Sequence, residues 1–252
     1  MTRLLTRRNL IAAVAAGTAG LIGVDAFRGR LPRHVLSLSQ SLTIRTQRLL
    51  LRHRPLAREF SPAEISAVFP TNGTTRPVGD DYRRLAARGF RDWALRIEGL
   101  VRKPLSLSLA QLRSLAARSQ ITMHSCVEGW NAIAQWKGTP LGPLLELAEP
   151  ASRACYVVFH CMDKREDGQY YYESIDLFDA FHPQTILAYE MNGRPLPVAY
   201  GGPLRLRVET QIGYKNAKYI ERIELVDRLD GFGKGRGGWW EDADNAVWYA
   251  GQ

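Results

Sequence analysis

The chain is predicted to fold as a mixed α+β domain that is rich in strands. Segments with strand-like patterns outnumber helical ones, and the two kinds do not alternate regularly as they would in a doubly wound α/β fold. The 252 residues are 45% hydrophobic and 23% charged, which is typical of a globular protein and excludes a disordered chain. This length suits one domain with an extension and a sizeable core.

The first residues read as an export signal. Arg7 and Arg8 lie in a twin-arginine pattern, and the run 10–24 that follows is apolar and uncharged. The run is shorter than the roughly 20 residues of a membrane-spanning helix. We therefore predict a twin-arginine signal over 1–26 and folded export to the periplasm. Because residues 24–26 form a poor cleavage site, an uncleaved, membrane-anchored form stays open.

A basic, proline-bearing extension is predicted over 27–75 and the main domain over 76–252. The alternation of residues 92–100 predicts the first strand of the domain. Ser108 and Gln111 have the spacing of a capping box, which predicts a helix through about Ala117. A strand at 120–126 follows and ends at Cys126, before an irregular loop.

The second half of the domain continues this mixture. Thr139 and Pro140 suit the start of a helix, and Asp176 can cap a short helix that stops before Pro183. A polar loop is predicted at 163–169. Further strands are predicted at 154–161, 185–191, 203–209 and 220–227, with a hairpin-type turn at Asn192–Gly193. The glycine-rich run 231–240 lacks the strand and helix of a dinucleotide loop, so we expect a mobile loop whose Trp239 and Trp240 pack near the rim of the active site.

Charge and cysteine content limit the partners and the redox chemistry. The net charge of +9 and the pI near 9.7 favour anionic partners, while no nucleic-acid motif is present. Cys155 and Cys161 are too far apart along one predicted strand to form a disulfide. A Cys126–Cys161 disulfide stays open, although a free Cys126 thiolate explains the neighbouring sequence better.

The run MHSCVEGWNAIAQWKGTPLGPLL (123–145) carries the strongest functional signal. A thiolate at a strand end is a soft ligand for a transition metal, although a lone cysteine is more often a buried structural residue. The run resembles the cysteine segment of the sulfite oxidase superfamily of molybdopterin enzymes. Residues 93–112 and 195–225 resemble further segments of that family in the same order, and the similarity is greatest to its short periplasmic methionine-sulfoxide reductase branch.

This resemblance implies a sulfite-oxidase-type domain without the immunoglobulin-like C-terminal domain, and a molybdenum-molybdopterin (Mo-MPT) cofactor. Cys126 would be the metal ligand and a catalytic residue, and Glu128 a catalytic acid that exchanges protons beside the metal. Asn72 would reach the pterin. Cys161 stands where the branch has a threonine that contacts the cofactor, so that contact is in question, as is the one made by the asparagine that Tyr200 replaces.

A phosphate loop is also implied, in which Arg205, Asn216, Ala217 and Lys218 hold the cofactor's phosphate. Charge-assisted hydrogen bonds and backbone N–H groups are the usual way to bind such an anion. Lys215 lies nearby and is an alternative to Lys218. The alternative is that these cations only flank a strand on the surface.

The resemblance further implies oxygen-atom transfer by an exported, monomeric enzyme. We expect reduction of a sulfoxide or a related S- or N-oxide, small or protein-bound, with electrons from a membrane b-type cytochrome and without nucleic acid. Sulfite dehydrogenase is the alternative, and a non-catalytic periplasmic binding module is the alternative of another class. The sequence does not specify the substrate, the direction of electron flow, or molybdenum over tungsten.

Overall fold

The computed structural model describes residues 55–165, 168–243 and 246–251. All of them belong to one compact unit, Arg54–Gln252. The predicted export signal at 1–26 and the greater part of the predicted extension lie outside the described residues. In the described part of the chain, no helix has both the length and the apolar character needed to cross a membrane.

The described residues form ten strands and five α-helices. The strands are β1 Ala94–Gly99, β2 Leu105–Ser108, β3 Arg118–Ser125, β4 Asn131–Pro140, β5 Tyr156–Lys164, β6 Tyr170–Asp176, β7 Ile186–Met191, β8 Arg194–Pro195, β9 Arg205–Arg207 and β10 Ile220–Val226. The helices are α1 Asp80–Ala87, α2 Leu109–Ser114, α3 Leu141–Ala148, α4 Leu177–Ala180 and α5 Trp239–Asp242. Short 3-10 helices occupy Pro62–Glu64, Val198–Tyr200 and Gly213–Lys215.

The strands form one mixed and one antiparallel sheet, which confirms the predicted α+β class. The first sheet has the order β2-β1-β10-β5-β6, and its central β1–β10 pair is parallel, with Arg96 opposite Arg222. The second has the order β3-β4-β7-β8, with β9 also paired to β7. Because β1 and β10 lie at opposite ends of the domain sequence, their pairing closes the domain.

Both faces of β7 are buried, and this fixes the second sheet inside the molecule. Leu187 and Tyr189 face the main core, where they join residues of the first sheet such as Ile97 and Phe159. Their neighbours Ile186 and Ala188 face a smaller cluster built on Trp136, Ala134 and Phe69. Burial of this apolar area stabilises the arrangement that brings the β3–β4 loop beside β9.

Several predicted elements are confirmed by local chemistry. The capping box holds, since Ser108 Oγ accepts from the Gln111 backbone N–H at 3.2 Å and the Gln111 side chain accepts from Ser108 N–H at 2.9 Å. The side chain of Asp176 caps α4 by accepting from Asp179 N–H at 2.9 Å. The Asn192–Gly193 turn has positive φ at both residues, as a type I′ turn requires.

Other predicted boundaries were wrong. Helix α2 ends at Ser114 because Leu115 is extended, not near Ala117. The irregular loop after Cys126 lasts only to Trp130, and the missed strand β4 follows, its alternate residues buried. The predicted polar loop at 163–169 is shortened because β5 runs to Lys164 and β6 begins at Tyr170, whereas the strand predicted at 203–209 contracts to β9.

Candidate cofactor site

A cavity of about 200 Å³ opens beside Cys126. Five parts of the chain line the cavity. They are the segment before α1, the β3–β4 loop, β5 with β6, β9 with the loop that follows it, and α5. The lining residues are Asn72, Gly73, Thr74, Cys126, Val127, Glu128, Asp163, Arg165, Tyr171, Arg205, Gly213, Tyr214, Asn216, Ala217, Lys218 and Trp240. Seven of the eight predicted site residues, all except Cys161, therefore line this cavity. Trp240, which was expected at the rim, lines it as well.

Cys126 begins the β3–β4 loop. Its N–H donates to Trp130 O at 2.9 Å and its carbonyl accepts from Gly129 N–H at 3.1 Å, which closes a tight turn with Gly129 at a φ of 88°. The Asn72 amide Nδ2 lies 3.5 Å from Cys126 Sγ. All three cysteines are free, so the Cys126–Cys161 disulfide alternative was wrong. Cys126 therefore offers an unbridged sulfur to the cavity.

Glu128 lines the same cavity from an exposed position. Its Oε2 accepts from the Trp130 indole N–H at 3.1 Å, which holds the carboxylate on the loop. Among the described residues, no hydrogen bond to the other carboxylate oxygen of Glu128 is formed. Glu128 can therefore exchange protons with solvent at the edge of the cavity.

Lys218 holds the segment 72–74 against the cavity. Its ammonium group donates to the carbonyl oxygens of Asn72, at 2.7 Å, and of Thr74, and approaches Ala199 O at 3.5 Å. Burial lowers the pKa of Lys218 to about 7, and the Arg205 charge adds to this shift. An added negative charge in the cavity would favour the protonated form of Lys218.

Arg205 projects from β9 and is only 2% exposed. Its Nη1 donates to Tyr200 O at 3.0 Å and its Nη2 approaches Asn216 O at 3.5 Å, while its buried Nε–H has no partner among the described residues. Burial, followed by repulsion from Arg207, lowers the pKa of Arg205 to about 9. A buried guanidinium with an unused donor suits an anionic ligand.

Asn216 and Ala217 shape the loop after the 3-10 helix Gly213–Lys215. Asn216 Oδ1 accepts from Val208 N–H at 2.9 Å, and its amide donates to Ile212 O at 3.3 Å. Asn216 therefore fixes the loop through its side chain and leaves the backbone of 216–218 along the cavity. At Gly201, with φ of 109°, a Cβ atom would lie 2.9 Å from Lys218 Cβ, so glycine lets the Lys218 segment approach.

Behind the cavity, Arg207 joins His124 to Glu209. The Arg207 guanidinium donates to both Glu209 carboxylate oxygens, at 2.9 and 2.5 Å, and Nη1 lies 2.8 Å from His124 Nδ1. Since a guanidinium only donates, His124 Nδ1 accepts and the proton of the neutral ring sits on Nε2. Burial and Arg207 hold the pKa of His124 well below its usual range. No local pattern in the sequence predicts this network, because Glu209 and Arg207 lie more than 80 residues from His124.

Two predicted residues lie elsewhere. Cys161 is 1% exposed in the main core and does not line the cavity; burial raises the pKa of its thiol. The alternative phosphate ligand Lys215 was wrong, because its ammonium group is buried in ion pairs with Glu173 and with Glu241, the latter at 2.8 Å. The ammonium group of Lys215 is therefore already paired and is not directed at a ligand in the cavity.

The residues present fit an anionic cofactor next to a sulfur ligand. Arg205 is buried and Lys218 is half-buried at the cavity. Burial depresses the pKa of each, and Arg205 Nε–H is unpaired in the described part of the chain. Asp163 is the buried carboxylate of the lining, and burial raises its pKa. A phosphate would offset this excess of positive charge, and the free Cys126 sulfur suits a transition metal.

A mixed α+β fold with this cavity defines an enzyme that binds a phosphate-bearing metal cofactor. The chain belongs to the oxidoreductase molybdopterin binding domain family, whose model matches residues 84–231. It is therefore a molybdopterin-dependent oxidoreductase, as the resemblance implied. Asn72, Gly73, Thr74 and Trp240 line the cavity from outside the matched range.

The chain is also similar in sequence to individual proteins named as methionine-sulfoxide reductase subunits. The provisionally named protein-methionine-sulfoxide reductase subunit YedZ1 of Azospira oryzae is 38% identical over 199 residues, which cover 76% of this chain and 70% of that protein. The protein-methionine-sulfoxide reductase catalytic subunits MsrP of Gluconobacter oxydans and Xanthomonas campestris are 40% and 37% identical over 147 residues. Those alignments cover 54% of this chain and slightly less than half of each relative, 47% and 46%.

A solved structure also shares the fold. The sulfane dehydrogenase SoxCD of Paracoccus pantotrophus superposes with a TM-score of 0.50 over 59% of this chain and 45% of that chain, at 21% identity. At this identity the similarity establishes the fold alone. It confirms the predicted sulfite-oxidase type of α+β domain.

Proposed function

We propose that this protein reduces a sulfoxide, or a related S- or N-oxide, by oxygen-atom transfer. The observation that carries the proposal is the cavity that unites the free Cys126 sulfur with the buried Arg205 and the half-buried Lys218. Three relatives that bear the name methionine-sulfoxide reductase support the choice of substrate class. The substrate can be a small molecule or an oxidised side chain of a protein.

When bound, the molybdenum-molybdopterin cofactor supplies the oxygen-atom transfer and the redox chemistry. In balanced form, the sulfoxide takes up two electrons and two protons and yields the sulfide and water. Cys126 would hold the metal through its sulfur, and Asn72 would orient that sulfur from 3.5 Å. Arg205 and the 216–218 backbone would hold the phosphate, with Asn216 and Ala217 shaping the loop.

Lys218 would act at the same end of the cavity in two ways. It fixes the segment 72–74 through carbonyl oxygens, and its ammonium charge favours a phosphate nearby. Glu128 would deliver protons from solvent to the departing oxygen, because its carboxylate is exposed and lines the cavity. Cys161 would act only by packing behind the cavity.

The twin-arginine pattern at Arg7 and Arg8 supports export of the folded enzyme to the periplasm, with the uncleaved anchor as an alternative. A membrane b-type cytochrome would supply the electrons, since the sequence has no haem attachment motif of its own. We propose that the enzyme acts as a monomer and does not pair with a second copy of its own chain.

Sulfite oxidation is the second candidate, and one observation favours it. The sequence near Cys126 lacks the arginines expected around a bound sulfite, but the fold brings Arg165 into the cavity. Three buried or half-buried cations, Arg165, Arg205 and Lys218, would attract an anion.

The proposal can be tested with purified, cofactor-loaded protein. We expect reduction of methionine sulfoxide with reduced viologen as the electron source, and no oxidation of sulfite with ferricyanide as the acceptor. Sulfite oxidation without sulfoxide reduction would replace the first candidate by the second. A loaded enzyme with neither activity would contradict both.

A further inference from the structure

Arg165 stands in an aromatic cage at the cavity. Its guanidinium carbon lies 4.6 Å from the ring centre of Trp239, 5.7 Å from that of Trp240 and 6.0 Å from that of Tyr171. The two tryptophan rings pack edge to face at 5.1 Å. Aromatic faces attract a guanidinium and restrict the orientation of its plane. The three rings therefore hold the Arg165 guanidinium in place.

The donors of Arg165 are only partly used. Nη1 donates to Thr74 Oγ1 at 3.3 Å, and the Thr74 side chain opposes the rise in the pKa of the nearby Asp163 carboxyl. The buried Nε–H has no partner among the described residues. A buried N–H of a charged group carries a free-energy cost unless a ligand accepts its hydrogen bond.

The residues around Arg165 define which ligand would accept the hydrogen bond from its Nε–H. The acceptor must fit a cavity shared with Cys126, and it meets the aromatic face of Trp240 as well as the guanidinium. A strongly polarised oxygen with small alkyl groups matches both surfaces, because the oxygen takes the N–H and the alkyl groups pack on the indole. The phosphate of a cofactor is served by Arg205 and the 216–218 loop.

We propose that Arg165 and Trp240 form a substrate subsite that holds the oxygen of an alkyl sulfoxide. This inference rests on the proposed function, which it deepens by naming the residues that recognise the substrate. Arg165 donates to the S–O oxygen and keeps it oriented toward the Cys126 side of the cavity. Trp240 provides the apolar wall, and Thr74 and Tyr171 keep the guanidinium in position.

The test compares Arg165→Met, Arg165→Lys and Trp240→Phe with a matched control. Arg113→Met is that control, since Arg113 also stacks on an aromatic ring, at 5.4 Å from Tyr189, but does not line the cavity. Molybdenum and pterin contents are measured for every variant. The kinetic readouts are kcat and KM for methionine sulfoxide, and the binding readout is tryptophan fluorescence on titration with methionine sulfone, a non-reducible analogue.

We expect Arg165→Met to retain cofactor and to raise KM and the sulfone Kd at least about tenfold, the effect of losing a charge-assisted hydrogen bond. Arg113→Met should match the unaltered protein. If Arg165→Met does not fold, Arg165→Lys decides, because it keeps the charge but loses the planar set of donors. Values of KM and Kd within about twofold of the unaltered protein in the folded variant would overturn the inference.

Failure of the inference and failure of the proposed function are distinguishable. Active enzyme whose KM and sulfone Kd do not respond to Arg165 overturns the inference and leaves sulfoxide reduction standing. Loaded protein that reduces no sulfoxide defeats the proposed function. In that case a sulfone Kd that depends on Arg165 still supports the subsite, whereas no sulfone binding, or binding independent of Arg165, overturns it.

Discussion

The amide Nδ2 of Asn72 lies 3.5 Å from the sulfur of Cys126, although 54 residues separate the two along the chain. The Asn72 carbonyl accepts from Lys218 Nζ at 2.7 Å. The segment 72–74 thus joins the cysteine loop to the loop that ends at Lys218. It precedes the range that the family model matches, so the cavity depends on chain outside that range.

Replacement of Cys126 by serine should abolish oxygen-atom transfer while pterin stays bound, because the phosphate contacts remain and the soft sulfur ligand is lost. Activity, molybdenum and released pterin are measured separately. The matched control is Cys155→Ser, since Cys155 is free and exposed. Full activity in Cys126→Ser would show that the sulfur is not a ligand.

Replacement of Lys218 by methionine should destabilise the cofactor-free protein by about 2–3 kcal/mol, because the carbonyl groups of the half-buried Asn72 and Thr74 lose their charged donor. Urea unfolding measures the loss. Lys137→Met serves as control, since Lys137 is half-exposed and pairs with Glu190 at 3.5 Å, and should change stability by less than about 1 kcal/mol. Equal effects of the two substitutions would contradict the clamp role.

A buried ion triad links the C-terminal segment to the core. Lys215 pairs with Glu173 and Glu241, and all three side chains are at most 2% exposed. We expect Lys215→Met to lower the free energy of unfolding by about 3–5 kcal/mol, because it leaves two buried carboxyl groups without the cation that pairs with them. Adding Glu173→Gln and Glu241→Gln to the same chain should recover most of that loss. No recovery in the triple variant would assign the loss to packing instead.

Stability should also depend on pH through Glu173. Burial and the nearby Glu241 raise the pKa of Glu173 well above 4.5, although Lys215 opposes the shift, and Tyr171 and Tyr214 also face this carboxyl. The folded state therefore holds a proton that the unfolded state releases, so stability falls as pH rises from 4.5 toward the raised pKa.

The corresponding experiment is urea unfolding across pH for Glu173→Gln beside the unaltered protein. The glutamine resembles the neutral acid, so the variant should lose the part of the decline that begins near pH 4.5. Parallel stability curves for the two proteins would show that Glu173 does not retain its proton in the folded state.

Local signals in the sequence predicted local structure well. The Ser108–Gln111 spacing and the Asp176 cap each specify hydrogen bonds within a few residues, and both form as predicted. Strand β4 was missed although Ala132, Ala134 and Trp136 alternate, because small and aromatic residues together give a weak apolar period.

The environment of the cations could not be read from the sequence. Lys215 and Lys218 are three residues apart in one loop, yet only Lys218 lines the cavity. What separates them is ion pairing with Glu173 and Glu241, which lie 42 and 26 residues away in the chain. Arg165 likewise enters the site only because β5 and β6 pair and α5 packs against them. Which cations line the cavity is therefore determined by tertiary contacts and not by the local sequence pattern.

The central claim is that Cys126 and the cations beside it hold a molybdenum-molybdopterin cofactor. It is tested most directly by the molybdenum and pterin contents of the folded protein, purified from a molybdenum-replete host. We predict about one molybdenum atom and about one pterin per chain, as expected of a resident cofactor. A correctly folded protein that contains neither would contradict the account.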